Sequence, residues 1–311
     1  MADPRRPRRL VPPRDLAALI ARRHAALRAH VRGARRGQVE GVHQARVASR
    51  RLREVAPVLG RGLDEVRLKP LRRRLRDLTR ALGPVRELDV AGQMLAERDW
   101  QGRDAQRLRR AWLRDLARRR REPVSDLRAA LSPHQVAVLA TELEAFEAVR
   151  AASGDLTWRT TLARRLADRA RDLRDRIVRT GALYHPEPLH EVRIATKKLR
   201  YALEMTAEAG LVRLTRPLAR LKAAQDVLGR LHDLDVLLTL LHDLPEAAPG
   251  EDLQHEAARV VAALETESAQ LHAAYLRSAS ALTRIADDTL DRIAPRVRGP
   301  VPGRIRRPDG R

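Results

Sequence analysis

Apolar residues recur every three or four positions along most of this chain, the spacing of helices that bury one face. Leu16, Leu19, Ile20, Leu27 and Val31 predict a first helix over about residues 15–36. Gly37 and Gly41 bracket a short turn, and a second helix follows, ending near Gly60-Arg61-Gly62. Leu68, Leu71, Leu75 and Leu78 predict a third over 63–82, broken at Leu82-Gly83-Pro84, because glycine followed by proline usually ends a helix. Further helices are expected at 85–98, at 103–121 until Pro123 stops the pattern, and at 133–152 with Leu139, Leu143 and Phe146 inward. Ser153-Gly154-Asp155 interrupts the periodicity. Beyond it come a helix over 157–181, one introduced by Pro186 and Pro188 and ended by Gly210, one carrying Arg216, Arg220 and Lys222, and two more over 252–277 and 280–293. Ala, Leu and Arg dominate while β-branched and aromatic residues are scarce, so the expected fold class is all-α.

The second half replays the first. Val42-His43-Gln44-Ala45-Arg46-Val47-Ala48-Ser49-Arg50-Arg51-Leu52-Arg53 returns 147 positions later as Leu189-His190-Glu191-Val192-Arg193-Ile194-Ala195-Thr196-Lys197-Lys198-Leu199-Arg200. Five of the twelve positions are identical and five more exchange like for like. Wound as a helix, Ala45, Ala48, Leu52, Ala56 and Leu59 share one side, and His43, Arg46, Arg50 and Arg53 gather on another. The copy sets Val192, Ala195, Leu199 and Leu203 against His190, Arg193, Lys197 and Arg200. Leu82-Gly83-Pro84-Val85-Arg86-Glu87-Leu88-Asp89-Val90 likewise returns as Leu228-Gly229-Arg230-Leu231-His232-Asp233-Leu234-Asp235-Val236, at an offset of 146. Two motifs at nearly one offset make chance a poor explanation. The expectation is two tandem antiparallel helical bundles, about four long helices each, related by a pseudo-two-fold duplication. The bundles are set at 14–152 and 153–295, between disordered basic tails at 1–13 and 296–311. Such symmetry would turn the two basic faces toward one groove.

Charge decides what that groove is for. Like charges one helical turn apart repel, so a row that costs stability and recurs in register calls for a polyanion to neutralise it. The whole chain carries 63 Lys and Arg against 40 Asp and Glu, a net +23 over 311 residues. That favours nucleic acid, an anionic membrane or free polyphosphate as partner. Three Trp, three Tyr and one Phe are few for the stacking platforms of single-strand binders. Absence of cysteine removes disulfides, thiolate metal sites and a cysteine nucleophile. No apolar run is long enough to span a bilayer, and Met-Ala-Asp-Pro-Arg-Arg lacks the apolar core of a signal peptide. A cytoplasmic protein with no membrane partner is the expectation.

His43 and His190 head their rows, where a neighbouring phosphate would favour imidazolium and hydrogen-bond donation over mere packing or capping. Arg51, Arg53 and Lys198 complete the motif cations, and Arg86 and His232 come from the later pair. Arg28, Arg72, Arg76, Arg169, Arg176, Arg220 and Lys222 are candidates on the other helices. Arg118-Arg119-Arg120-Arg121 lies outside the repeat and reads as peripheral. His24, His30, His134, His185, His242, His255 and His272 have no ligand spacing and read as surface residues, and the cations around His43 and His190 would repel a metal. Asp89 and Asp235 recur in register; an acid in such surroundings more often orients an arginine or caps a helix than acts as a base. No Ser/His/Asp triad, glycine-rich phosphate loop or paired-carboxylate motif stands out.

His43-x-x-Arg46-x-x-x-Arg50-Arg51-Leu52-Arg53 and His190-x-x-Arg193-x-x-x-Lys197-Lys198-Leu199-Arg200-Tyr201 resemble the two signature motifs of the CHAD domain, the conserved histidine α-helical domain. Leu82-Gly83-x-x-Arg86-x-Leu88-Asp89-Val90 and Leu228-Gly229-x-x-His232-Asp233-Leu234-Asp235-Val236 resemble its second motif pair, with His232 where a basic residue is usual. The resemblance covers roughly 14–290. It implies two four-helix bundles enclosing a strongly basic cavity that binds inorganic polyphosphate, with no cofactor and no catalysis. Granules and polyphosphate-linked enzymes are the further partners it implies. Many members are fused to a triphosphate tunnel metalloenzyme domain, an acidic Glu-x-Glu-rich β-barrel; no such stretch occurs here, so a stand-alone CHAD protein is expected. The runner-up is an architectural nucleic-acid binder using the same charge, and even the polyphosphate reading leaves room for weak nucleic-acid binding. A phosphate-transferring enzyme is third, disfavoured because no acidic metal site is written in the chain.

Overall fold

The structure, a computed structural model, describes residues 16–63, 65–154, 156–242 and 251–299. Three helices open the chain: α1 (Leu16–Arg35), α2 (Val39–Leu59) and α3 (Glu65–Glu97). Shorter ones follow, α4 (Arg103–Arg119), α5 (Arg121–Ala130) and α6 (Pro133–Ala152). The second half holds α7 (Thr157–Thr180), α8 (Pro186–Glu208), α9 (Thr215–His242) and α10 (Glu251–Asp288), a π-helical turn (Thr289–Ile293) and α11 (Ala294–Arg298). Among the described residues there is no strand, as the composition led one to expect.

The neighbour relations of the first three helices recur in the second half: α1 packs on α2 and α2 on α3, while α7 packs on α8 and α8 on α9. Helix α6 closes on α1, and α10 closes on both α9 and α7. Contacts between α2 and α8, α2 and α7, α3 and α9, and α4 and α10 join the halves. One buried cluster takes Leu52, Val55 and Leu75 from the first half and Leu166, Leu199 and Leu203 from the second. A smaller one gathers Leu95, Leu108 and Trp112 with Leu234, Leu237 and Leu264. Neither cluster divides at the α6–α7 link, so both halves share their apolar cores. Truncating one of these leucines to alanine costs about 2–5 kcal/mol.

Several sequence expectations give way. Helix α3 runs unbroken through Leu82-Gly83-Pro84 and α9 through Leu228-Gly229. Pro84 is exposed, so the ring and the Arg80 carbonyl it leaves unbonded face solvent, which lowers the usual cost of an interior proline. Pro123 sits in the first turn of α5, where its missing N–H is needed by no intrahelical bond. The expected break between 277 and 280 is absent: α10 is continuous there, and Ser278 Oγ donates back to the Tyr275 carbonyl at 2.8 Å within it. Residues 296–298, expected in a disordered tail, belong to α11, anchored by fully buried Val297. Residues 300–311 of that tail and residues 1–13 lie outside the described residues. Gly41, expected in a turn, lies within α2; a Cβ there would sit 2.5 Å from the Gly33 backbone, so its bareness sets the close approach of α1 to α2.

Candidate polyanion-binding cavity

Four helices, two from each half, meet around a cavity of about 310 Å³. Helix α2 contributes His43, Arg46 and Arg50, and α8 contributes Arg193, Lys197 and Arg200. The second motif pair supplies Arg86 and Glu87 from α3 and His232 and Asp233 from α9. The continuity of α3 and α9 places these residues: each helix passes from the larger apolar cluster into the smaller one, and its motif lies between the two. Repeat partners therefore meet in space. His43 and His190, Arg46 and Arg193, Arg50 and Lys197, Arg86 and His232, and Glu87 and Asp233 all lie on or against this one space. Buried Ala45, Leu52, Ala195 and Leu199 on the opposite faces of α2 and α8 hold the basic rows in register.

The cations are crowded and poorly neutralised. Arg46 Nη2 lies 3.9 Å from Glu87 Oε1, and its Nη1 is 3.0 Å from where a Cβ on Gly83 would stand. Among the described residues Arg50, Arg193 and Lys197 make no ion pair, and Arg193 Nε is buried without a hydrogen-bond partner. Arg200 is held by Gln225, to which its Nε donates at 2.7 Å, and by Glu204, and it stacks over Tyr201 at 4.9 Å. Burial, and then repulsion from Arg193, Arg50 and Arg46, pushes the Lys197 ammonium down to about 6. Burial and the neighbouring Arg50 lower Arg46 to about 10. Burial, then Arg193 and His190, drop His232 to about 3, and His43 and His190 are lowered chiefly by burial. One hydrogen bond joins His190 Nδ1 to His232 Nδ1 at 3.1 Å, with the rings 4.4 Å apart. Two like charges could not share that bond, so the lowered histidines and the geometry agree. Burial raises the Asp233 carboxyl against the pull of Arg193, Arg86 and Lys197.

Other candidates lie elsewhere. His190 stands behind His232 rather than on the lining. Arg51 lines a separate cavity against α1, and Arg53 is exposed. Arg169, Arg176 and Lys198 cluster across α7 and α8, where Glu54 reaches Arg169 at 3.9 Å and Asp172 reaches Arg176 at 2.6 Å. Arg72 is half-buried on α3 outside the lining. Arg28, Arg76, Arg220 and Lys222 are exposed, because buried Leu27, Leu75 and Leu221 turn the opposite faces of α1, α3 and α9 inward.

Two surface assignments are also corrected. His24 is buried, its Nδ1 3.0 Å from Glu147 Oε1, and His272 is half-buried beside Tyr184 and Tyr275. Arg120, expected to be peripheral, is a strut: its Nε donates to buried Asp89 at 2.6 Å and its Nη2 to the Gly37 carbonyl at 2.6 Å. Asp235 accepts from the Tyr184 hydroxyl, so the two repeated aspartates orient partners, one an arginine and one a tyrosine. Glu87 and Asp233 were not singled out from the sequence, although their recurrence in register was the available signal.

The ligand requirements follow from the lining. Arginine forks and a lysine point charge suit phosphate oxygens, and an anion would relieve the repulsion that holds Lys197 down. Among the described residues no group of three or more His, Asp or Glu is arranged to hold a metal ion, and no helix is long and apolar enough to cross a membrane.

Comparison with known proteins closes the case for the fold. A family model for the CHAD domain matches residues 18–242. The crystal structure of the CHAD domain from the plant Ricinus communis superposes with a TM-score of 0.62 at 25% identity, covering 85% of this chain and 90% of that one. PptA from Streptomyces chartreusis superposes with a TM-score of 0.58 at 19% identity, covering 85% and 97%, a likeness of fold. Comparison with curated proteins gave no match. With both motif pairs inside the matched stretch and gathered on one cavity, the chain belongs to the CHAD domain family.

Proposed function

We propose that the cavity binds inorganic polyphosphate electrostatically and holds it without turning it over. The observation that carries this is the convergence of Arg46, Arg50, Arg193 and Lys197, from both copies of one motif, with only Glu87 of the lining within ion-pair distance of any of them. Such a cluster strains the free protein and is relieved by a ligand with many closely spaced charges. Polyphosphate supplies that with no base to stack, which suits a lining with no Phe or Trp and whose one Tyr, Tyr201, is buried and covered by Arg200. Duplex DNA is too wide to enter a space of about 310 Å³, since even its major groove measures about 12 Å across. For turnover, phosphoryl transfer commonly relies on metal ions held by carboxylates. The two carboxylates of this lining are instead set among arginines, which supports holding over cleavage.

Calorimetry at about 0.15 M salt, with charge-matched duplex DNA as competitor, tests the binding. Retention of long-chain polyphosphate against the duplex is expected, and equal displacement would mark a general cation surface. Chain length followed over time, with and without Mg²⁺, tests the absence of turnover, and shortening in either arm would contradict it.

A further inference from the structure

We infer that a bound polyphosphate chain leaves the central cavity on one side only, over Val47 into a second basic cavity between α1 and α2. This rests on the polyphosphate reading of the central cavity. Val47 lines both spaces. The second, of about 290 Å³, presents Arg22, Arg23, His30 and Arg51 against a single carboxylate, Glu208. Arg23 already occupies that carboxylate at 3.1 Å and also donates to the Arg51 carbonyl at 3.0 Å. Arg22 has no ion pair among the described residues. Arg51 Nε is buried without a hydrogen-bond partner and is held only by a long ion pair, 3.7 Å from Glu204 Oε2, while Arg200 bonds the other oxygen of that carboxylate. Arg22 is thus left for an anion, and Arg51 is only loosely engaged.

The duplication supplies the contrast. Lys198 is the repeat partner of Arg51, and Glu191 that of Gln44. Around Lys198 the cations are already answered: Glu191 pairs with Arg176 at 2.5 Å, Asp172 with the same arginine at 2.6 Å, and Glu54 with Arg165 at 2.9 Å. A chain emerging on that side meets carboxylates. On the Gln44 side it meets Arg22, which has no ion pair among the described residues, and Arg51, held only at 3.7 Å. The same duplicated surface is therefore open to a polyanion in one copy and closed in the other, which gives the bound chain a direction.

The test is binding affinity against chain length, from tripolyphosphate to long-chain polyphosphate, for the wild type and Arg22→Gln/Arg51→Gln. Wild-type affinity should keep rising with length after the double variant has levelled off. The salt dependence for long chains should weaken by about 1.5 in log–log slope, near 0.7–0.9 per lost phosphate contact. Gln44→Glu, which installs the carboxylate of the closed side, should level off early as well and stands in if the double variant folds poorly. Equal losses at every length, or none, would overturn the branch while leaving the central cavity intact. A wild type that binds no polyphosphate at any length overturns the underlying reading and the branch with it.

Discussion

Lys197 shows what the cavity demands of a ligand. Its ammonium, ordinarily near 10.5, sits at about 6 because burial and three arginines oppose its charge. The unfolded chain therefore holds more protons than the folded one between those values, and this residue's contribution to stability falls as pH drops from about 10 to 6. Polyphosphate would return the proton, so binding takes protons up and strengthens as pH is lowered across the same window. Calorimetry in two buffers of different ionisation enthalpy should register that uptake near pH 7; proton release would be the contrary result. Glu87 and Asp233 act in the opposite sense, as built-in counter-ions that an incoming chain must outcompete. Glu87→Gln with Asp233→Asn should tighten polyphosphate binding several-fold in a titration, and weaker binding would mean the acids assist the ligand. The basic row was legible in the sequence because the repeat wrote it twice. The acids Glu87 and Asp233 recur in register as well, but two carboxylates among many cations carry a weaker signal than the basic rows.

At the level of elements, the motif glycines separate local propensity from site geometry. A Cβ on Gly83 would press on the Arg46 guanidinium, whereas one on Gly229 meets nothing within 4 Å. Both lie inside helices, where alanine is favoured over glycine by about 0.5–1 kcal/mol. Gly83→Ala should therefore raise the melting temperature while weakening polyphosphate binding, because Arg46 must shift. Gly229→Ala should raise stability with affinity unchanged. Parallel melting curves and titrations read both effects, and identical behaviour of the two variants would contradict the role given to Gly83. Gly83-Pro84 is also where the sequence misled most. Local rules break the helix there, but the chain keeps α3 whole by turning Pro84 outward. The long periodic helices were otherwise legible, because their buried stripes are leucine-rich and uninterrupted. What the sequence could not say was which face of each basic helix looks inward. Arg72 and Arg76 carry the same charge pattern as Arg46 and Arg50 yet miss the lining, since that choice is made by packing between helices distant in sequence.

For the whole molecule, the duplication works through contact between the halves. Neither copy alone makes the cavity: α2 and α3 supply one wall, α8 and α9 the other, and the apolar clusters beneath are shared. The repeat was plain in the sequence and pointed to facing basic surfaces, but the shared core was not, because apolar periodicity records how much is buried and not against which partner. The alternative to a shaped site is a protein that binds any polyanion through its net charge of +23. The most direct measurement compares two variants that each lose four basic side chains. One removes Arg46, Arg50, Arg193 and Lys197 from the cavity by alanine substitution. The other removes exposed Arg110, Arg114, Arg277 and Arg284. Polyphosphate affinity should fall by more than about a hundredfold in the first, given ~1.5 kcal/mol or more for each charge-assisted hydrogen bond, and by only a few-fold in the second. Equal losses in the two would contradict a shaped site and leave net charge as the ligand's only hold.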